Sequence, residues 1–378
     1  PPRSTLFPYT TLFRSGTHFA VIIMKNGRKH KIRTMNIVNS SKKIINIAVS
    51  GNEALKPIFN PMYNIYLRNL LVSAVIVIMV MLVSCAGGGG VAQNETPTRG
   101  NIRIIADDSF RPLVETEVNT FTGLYTNAHI EVSYKPEVDV INDFMHDSTK
   151  VIVTGRKLNE DQIQYLRDSL IVARTITFAY DALALITNRE NKDSLLKYET
   201  VRDIFLGKIT QWSEINPRSD RGPVRVIFDN TKSGNIRYFK ELFEIKDNLP
   251  SNFYALNTNA EVIDFVSGNP DALGIVSVNW ISDKDDSLSM SFVKRINVIA
   301  VSHKFIDDGS YYRPHQGFIY DKSYPFVREI YLISRETFLG LGSGFIQWAT
   351  AEQGQRIVLK SGLVPATMPI RIVQIKTE

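Results

Sequence analysis

The chain has 378 residues, 44 Lys and Arg against 38 Asp and Glu, and a single cysteine, a length that at about 150 residues per domain suits two or three domains or two lobes of one larger fold. One cysteine excludes an intrachain disulfide framework, a Cys-rich zinc ribbon and a Cys-ligated iron–sulfur cluster, while 44% apolar and 22% charged residues are a globular composition. The net +6 lies at one end: residues 1–84 hold eleven bases and one acid, Glu53, whereas residues 85–378 hold 33 bases and 37 acids, so the body is mildly acidic and offers no nucleic-acid surface.

Residues 1–61 repeat Thr-Leu-Phe at 5–7 and 11–13 in low-complexity surroundings. They read as a non-native or upstream extension outside the fold, the other reading being a genuine basic cytoplasmic segment. Residues 62–84 read as a signal peptide whose apolar stretch, 70–83 (LLVSAVIVIMVMLV), is fourteen uncharged residues. A transmembrane helix needs roughly 20. The stretch runs into Leu82-Val83-Ser84-Cys85, which resembles the lipobox of bacterial lipoproteins. That resemblance implies cleavage behind Ser84 and acylation of Cys85, anchoring the chain to a lipid bilayer at the cell envelope. A short uncleaved anchor helix is the alternative. Residues 85–100 run from Cys85-Ala86 into four glycines, 87–90, and continue polar, as a flexible tether does.

Beyond Gly100 strands and helices alternate. Residues 101–106 (NIRIIA) read as a buried strand, and 111–121 as a helix with Leu113, Val114, Val118 and Phe121 on one face. Strands at 130–134 and 151–154 enclose a helix at 138–145. Asn159 caps a helix over 160–169. A long apolar strand, 178–187, contains one charge, Asp181. A helix over 198–209 follows, then a strand at 224–228, helices at 236–243 and 260–267, a strand at 272–278, and Gly-broken helices across 338–365. This alternation predicts an α/β fold with a mostly parallel sheet.

Several chemistries fail for want of residues. The six histidines include no pair at metal-ligand spacing, so no metal site is expected. Residues 87–90 lack the Lys-Ser/Thr of a phosphate-binding loop, and Ser343, between two glycines with no strand before it, does not form a nucleophile elbow. No cofactor and no catalytic activity are expected. A different pattern recurs: a strand ends, small polar residues follow, and a helix begins. It appears at Asp108-Ser109-Phe110 and at Ser233-Gly234-Asn235. Helix N-termini present unpaired N–H donors and the positive end of a dipole, so they attract anions. Thr154-Gly155-Arg156 is a third strand end, with a hydroxyl and a guanidinium suited to a tetrahedral oxyanion. Each of these residues has an ordinary reading as well, as a helix cap or a solvated side chain.

Residues 201–215 (VRDIFLGKITQWSEI) resemble the helix signature of the phosphate-binding proteins of ABC importers. Residues 180–188 (YDALALITN), 272–276 (ALGIV), 351–355 (AEQGQ) and 362–365 (GLVP) resemble further segments of that family. The resemblance spans roughly 100–370. It implies a type II periplasmic-binding-protein fold, with lobe I over 101–179, lobe II over 180–310, a return crossing and the rest of lobe I over 311–378, and a ligand cleft between lobes. It also implies a monomeric extracytoplasmic lipoprotein that captures phosphate, or a related oxyanion, for an ABC permease. A membrane-anchored sensor or adhesion module with the same pocket is the alternative function. The expected ligand contacts are Ser109, Phe110, Thr154, Arg156, Ser233, Gly234 and Asn235. Two departures stand out: Asp229 occupies a position where the family commonly has Arg, and Gly155 one where some members have Asp. Phosphate keeps a proton near neutral pH and sulfate does not, so a carboxylate in the site selects for phosphate; Asp108, Asp181 and Asp229 are the candidate acceptors.

Overall fold

The computed structural model describes residues 95–368, apart from 147, 148 and 284, together with Val72. The signal-peptide reading, the lipobox Cys85 and residues 1–61 lie outside these. Residues 95–99, at the end of the expected tether, form a turn closed by mutual backbone hydrogen bonds between Thr96 and Arg99, and Glu95 accepts from the Leu341 N–H at 3.2 Å.

The chain then builds β1 (Gly100–Asp107), a 3-10 turn (Asp108–Phe110), α1 (Arg111–Leu124), β2 (Ala128–Lys135), α2 (Glu137–Met145), β3 (Val151–Thr154) and α3 (Glu160–Asp168). The crossing strand β4 (Arg174–Asn188) is followed by β5 (Leu195–Leu196), α4 (Tyr198–Phe205), α5 (Trp212–Ile215), β6 (Arg225–Phe228), α6 (Gly234–Leu242), β7 (Phe253–Ala255), α7 (Asn259–Gly268) and β8 (Ala272–Ser277). Next come a 3-10 turn (Val278–Trp280), α8 (Ser287–Val293), β9 (Ile296–Val298), β10 (Ala300–Ser302), β11 (Tyr311–Tyr312) and α9 (Gln316–Tyr320). The return strand β12 (Val327–Ser334), α10 (Leu341–Ala349), α11 (Glu352–Lys360) and β13 (Val364–Pro365) complete the described fold.

Ten strands share one sheet in the order β2-β1-β3-β12-β4-β8-β6-β7, with β9 and β13 also on β4. Its two flanks are parallel, β2-β1-β3 on one side and β8-β6-β7 on the other. Each flank is built from strand–helix units, as the alternation of periods predicts. Between them β4 changes partner along its length: residues 174–182 pair with β12, whereas 183–187 pair with β8. At about 3.3 Å per residue its fifteen residues are long enough to serve both flanks.

Both faces of the sheet are covered. Ile104 and Val153 join the main core, while their neighbours Ile105 and Ile152 point the other way, onto Val140, Ile141 and Phe144 of α2. That is why these strands read as continuous apolar runs instead of alternating ones. The 201–215 signature is largely packing. Phe205 stacks on Phe239 with ring centroids 4.5 Å apart, and the buried Trp212 donates from Nε1 to the Asp271 carbonyl at 2.9 Å. The predicted helix over 198–209 stops at Phe205 because Gly207 takes φ +71°, the left-handed conformation glycine adopts freely at helix ends.

Candidate functional site

The C-terminal ends of β1, β3, β6 and β8 converge on one cluster of buried polar residues, the position at which open α/β sheets hold ligands. Asp107, Asp108, Ser109, Glu137, Thr154, Asp181, Asp229, Ser233, Asn235, Asn259, Ser277, Asn279 and Arg328 are all buried there.

The three predicted strand ends meet. Ser109 donates its hydroxyl to the Asn235 Oδ1 at 3.0 Å, tying the turn after β1 to the start of α6. Asn235 passes its own amide to Asn259 at 3.0 Å, and Asn259 donates to Asp229 at 3.2 Å. Ser233 is the N-cap of α6; its hydroxyl accepts from the Ile236 N–H and donates to Asp229 Oδ1 at 2.6 Å. Thr154 donates to Glu137 Oε1 at 3.3 Å, beside the Gly155 N–H at 3.1 Å. Gly234 is needed for close approach: a Cβ there would lie 2.8 Å from both Asp107 Oδ2 and Glu137 Oε1. The Phe110 ring is fully buried and lies 4.6 Å beneath the Arg328 guanidinium.

The remaining candidates are engaged locally. Asp108 holds Arg111 through two hydrogen bonds of 2.9 and 2.8 Å, and its Oδ2 accepts from the Asn259 N–H. Arg156 lies at the margin, 3.9 Å from Glu137 and donating to Gln162 and to the Lys157 carbonyl. Asp181 accepts from Ser277 of β8 and, across the β4–β12 register, from Arg328 Nε, both at 2.9 Å.

Seven groups in or against the cluster escaped sequence reasoning: Asp107, Glu137, Arg237, Asn259, Ser277, Asn279 and Arg328. Arg328 is the most consequential. Its side chain is 2% exposed, and both terminal nitrogens, Nη1 and Nη2, are buried with no hydrogen-bond partner. Where the family resemblance leads one to expect arginine, at 229, stands an acid; a guanidinium enters the same cluster from β12 instead. The signal for it was the apolar run of β12, a strand absent from the predicted elements, with one buried cation in it.

Charge in the cluster is finely set. Burial pushes Asp107 up to about 7, with Glu137 adding to the rise and Arg328 opposing it. Burial likewise raises Asp229 to about 6 against the hydrogen bond from Ser233. Asp181 is raised by burial and held back by Arg328. Among the described residues no group of three or more His, Cys, Asp or Glu could hold a metal ion.

This geometry, an open mixed sheet crossed by β4 and β12 with polar strand ends facing one another, has counterparts among known proteins. A family model of the PBP superfamily domain matches residues 91–353. The chain belongs to the PBP superfamily. Among curated relatives of this superfamily member, the phosphate-binding protein PstS of Staphylococcus epidermidis is 23% identical over 247 residues, covering 64% of this chain and 75% of that protein. The PstS of Staphylococcus aureus strain USA300 is 23% identical over 245 residues, covering 64% and 74%. Two solved structures share the fold. A substrate-binding protein with bound phosphate from Clostridium perfringens, assigned to a phosphate ABC transporter, matches with TM-score 0.59 and 23% identity over 71% of this chain and 100% of that one. An ABC-type phosphate transport receptor from Vibrio cholerae matches with TM-score 0.53 and 17% identity over 70% and 100%. The fold is that of type II periplasmic binding proteins.

Proposed function

We propose that this PBP-superfamily chain is an extracytoplasmic lipoprotein that captures phosphate, or a related tetrahedral oxyanion, and delivers it to an ABC permease. The observation that carries this reading is Arg328: a guanidinium buried beside helix N-termini and strand-end donors, with two nitrogens unspent. Buried N–H donors are normally hydrogen-bonded, and a fork of such donors matches an oxyanion in shape and charge. The names borne by the curated relatives agree with that chemistry. Ser109, Ser233, Gly234, Asn235 and Thr154 would supply neutral donors around the anion, with Phe110 flooring the site. Asp107 and Asp229 would accept the proton that phosphate keeps and sulfate lacks. Binding is without turnover, in a monomer, and Cys85 carries the lipid anchor; among the described residues no helix is long and apolar enough to cross a membrane.

Titration calorimetry of the purified chain with phosphate, sulfate and molybdate tests the ligand. Heat with phosphate and a weaker response to sulfate is the expected result. No heat with any of the three would sink the reading. For the anchor, Cys85→Ala should move the protein from the membrane to the soluble fraction of expressing cells.

A further inference from the structure

Glu137 is the first residue of α2, where an acid ordinarily faces solvent and complements the helix dipole. Here it is fully buried. Its carboxylate lies on the donors that converge at the strand ends: the Gly155 N–H at 3.1 Å, the Thr154 hydroxyl at 3.3 Å and Arg237 Nη2 at 3.1 Å, with Arg237 Nε on the second oxygen. Arg156 Nε stands 3.9 Å away. The same Oε1 sits over Gly234, at the start of α6, in space that any side chain there would take. One carboxylate therefore collects a strand-end N–H, a hydroxyl and a bidentate guanidinium. This is the donor set of an oxyanion pocket, filled by a side chain of the protein itself.

Two independent features mark the pocket as built for more than Glu137. Asp107 Oδ2, also packed on Gly234, has no hydrogen-bond partner, and neither does the terminal fork of Arg328. Glu137 and Arg237 also come from opposite flanks of the sheet, 100 residues apart. A second pair of contacts reinforces that tie: Lys232 reaches Asp139 at 3.0 Å, and the Val138 N–H donates to the Lys232 carbonyl at 3.2 Å.

We propose that Glu137 is a resident occupant of the oxyanion site, which an external oxyanion must displace, and that it latches the two flanks together when no ligand is bound. The proposal rests on the oxyanion reading above and gives the site a specificity residue. A ligand must outcompete a tethered carboxylate for Gly155, Thr154 and Arg237, so weak monoanions fail where a doubly charged, multidentate oxyanion succeeds. Affinity is reduced by the fraction of molecules in which Glu137 holds the pocket.

The test compares the unaltered chain with Glu137→Ser and Glu137→Gln, using phosphate calorimetry and X-ray scattering without and with phosphate. Glu137→Ser should bind phosphate more tightly by about tenfold or more. Its ligand-free radius of gyration should rise and return to the unaltered value on adding phosphate. Glu137→Gln keeps the shape and loses the charge, so it should shift both measures in the same direction by less; it decides the matter if the serine variant does not fold. Phosphate affinity that stays equal or falls in a folded variant overturns the competition, while leaving phosphate capture by the unaltered chain standing. The ligand-free scattering is independent of phosphate binding: an unchanged ligand-free radius overturns the latch. Absence of binding by all three proteins overturns the oxyanion reading, and the competition with it.

Discussion

Arg328 and Asp181 face each other across β4 and β12 in the interior, with the guanidinium nearly as buried as the carboxylate. Removing one member of such a pair strands the other charge, which costs about 3–5 kcal/mol. Arg328→Met should therefore lower unfolding stability by that amount in denaturant melts, with part of the loss recovered in the Asp181→Asn/Arg328→Met double variant. It should also weaken phosphate binding by roughly 100-fold or more, the loss expected for a charge-assisted fork. Glu117, on α1, poses the opposite problem. Both its carboxylate oxygens are buried without a partner, and burial pushes it up to about 9. The folded chain then holds a proton that the unfolded chain releases near 4.5. Stability from this group is complete below 4.5 and is lost as the pH rises toward 9, on the order of 3 kcal/mol by pH 7. Glu117→Met should flatten the decline in melting temperature between pH 5 and pH 8. A melt profile as steep as that of the unaltered chain would refute this.

At the scale of elements, α6 depends on its cap. Ser233 serves the Ile236 N–H and Asp229 at once. Ser233→Ala removes the cap, worth about 1 kcal/mol, and leaves Asp229 one donor short. Chemical denaturation should show at least that loss, and phosphate affinity should fall with it. This helix start was legible in the sequence because capping is local: Ser, Gly and Asn stand in order before the apolar face. So was α3, whose Asn159 and Gln162 form the reciprocal capping box. The strand ends that bring Ser109, Thr154 and Ser233 to one place were legible as well, since α/β alternation dictates where strands point. What stayed hidden arrives through long-range pairing. Glu137 looks like an ordinary first-turn acid until α6 places Arg237 on it. Arg328 enters through β12, whose partners β3 and β4 lie some 150 residues earlier, and no local spacing reports that register. The sequence left two readings open for Asp229, a turn or cap residue and a pocket acceptor; in the structure it accepts from the cap Ser233 and from Asn259.

For the whole molecule, the crossing of β4 by β12 makes the first flank dependent on the end of the chain. β3 takes β12 as its neighbour over Val151–Thr154, and the core beneath β1 includes Phe345 and Trp348 of α10. Synthesis therefore delivers β1, β2 and β3 long before the strand that completes their side of the sheet. The contacts that close this flank span most of the described sequence, and loops of that length make folding slow. Until residue 334 has emerged, β3 presents an unpaired edge, and β1, β2 and β3 lack the neighbour that completes their side of the sheet. An order of assembly in which β12 licenses β1, β2 and β3 leaves this side of the sheet open until residues 327–334 are made, so its strands are held apart from their final neighbour for most of synthesis.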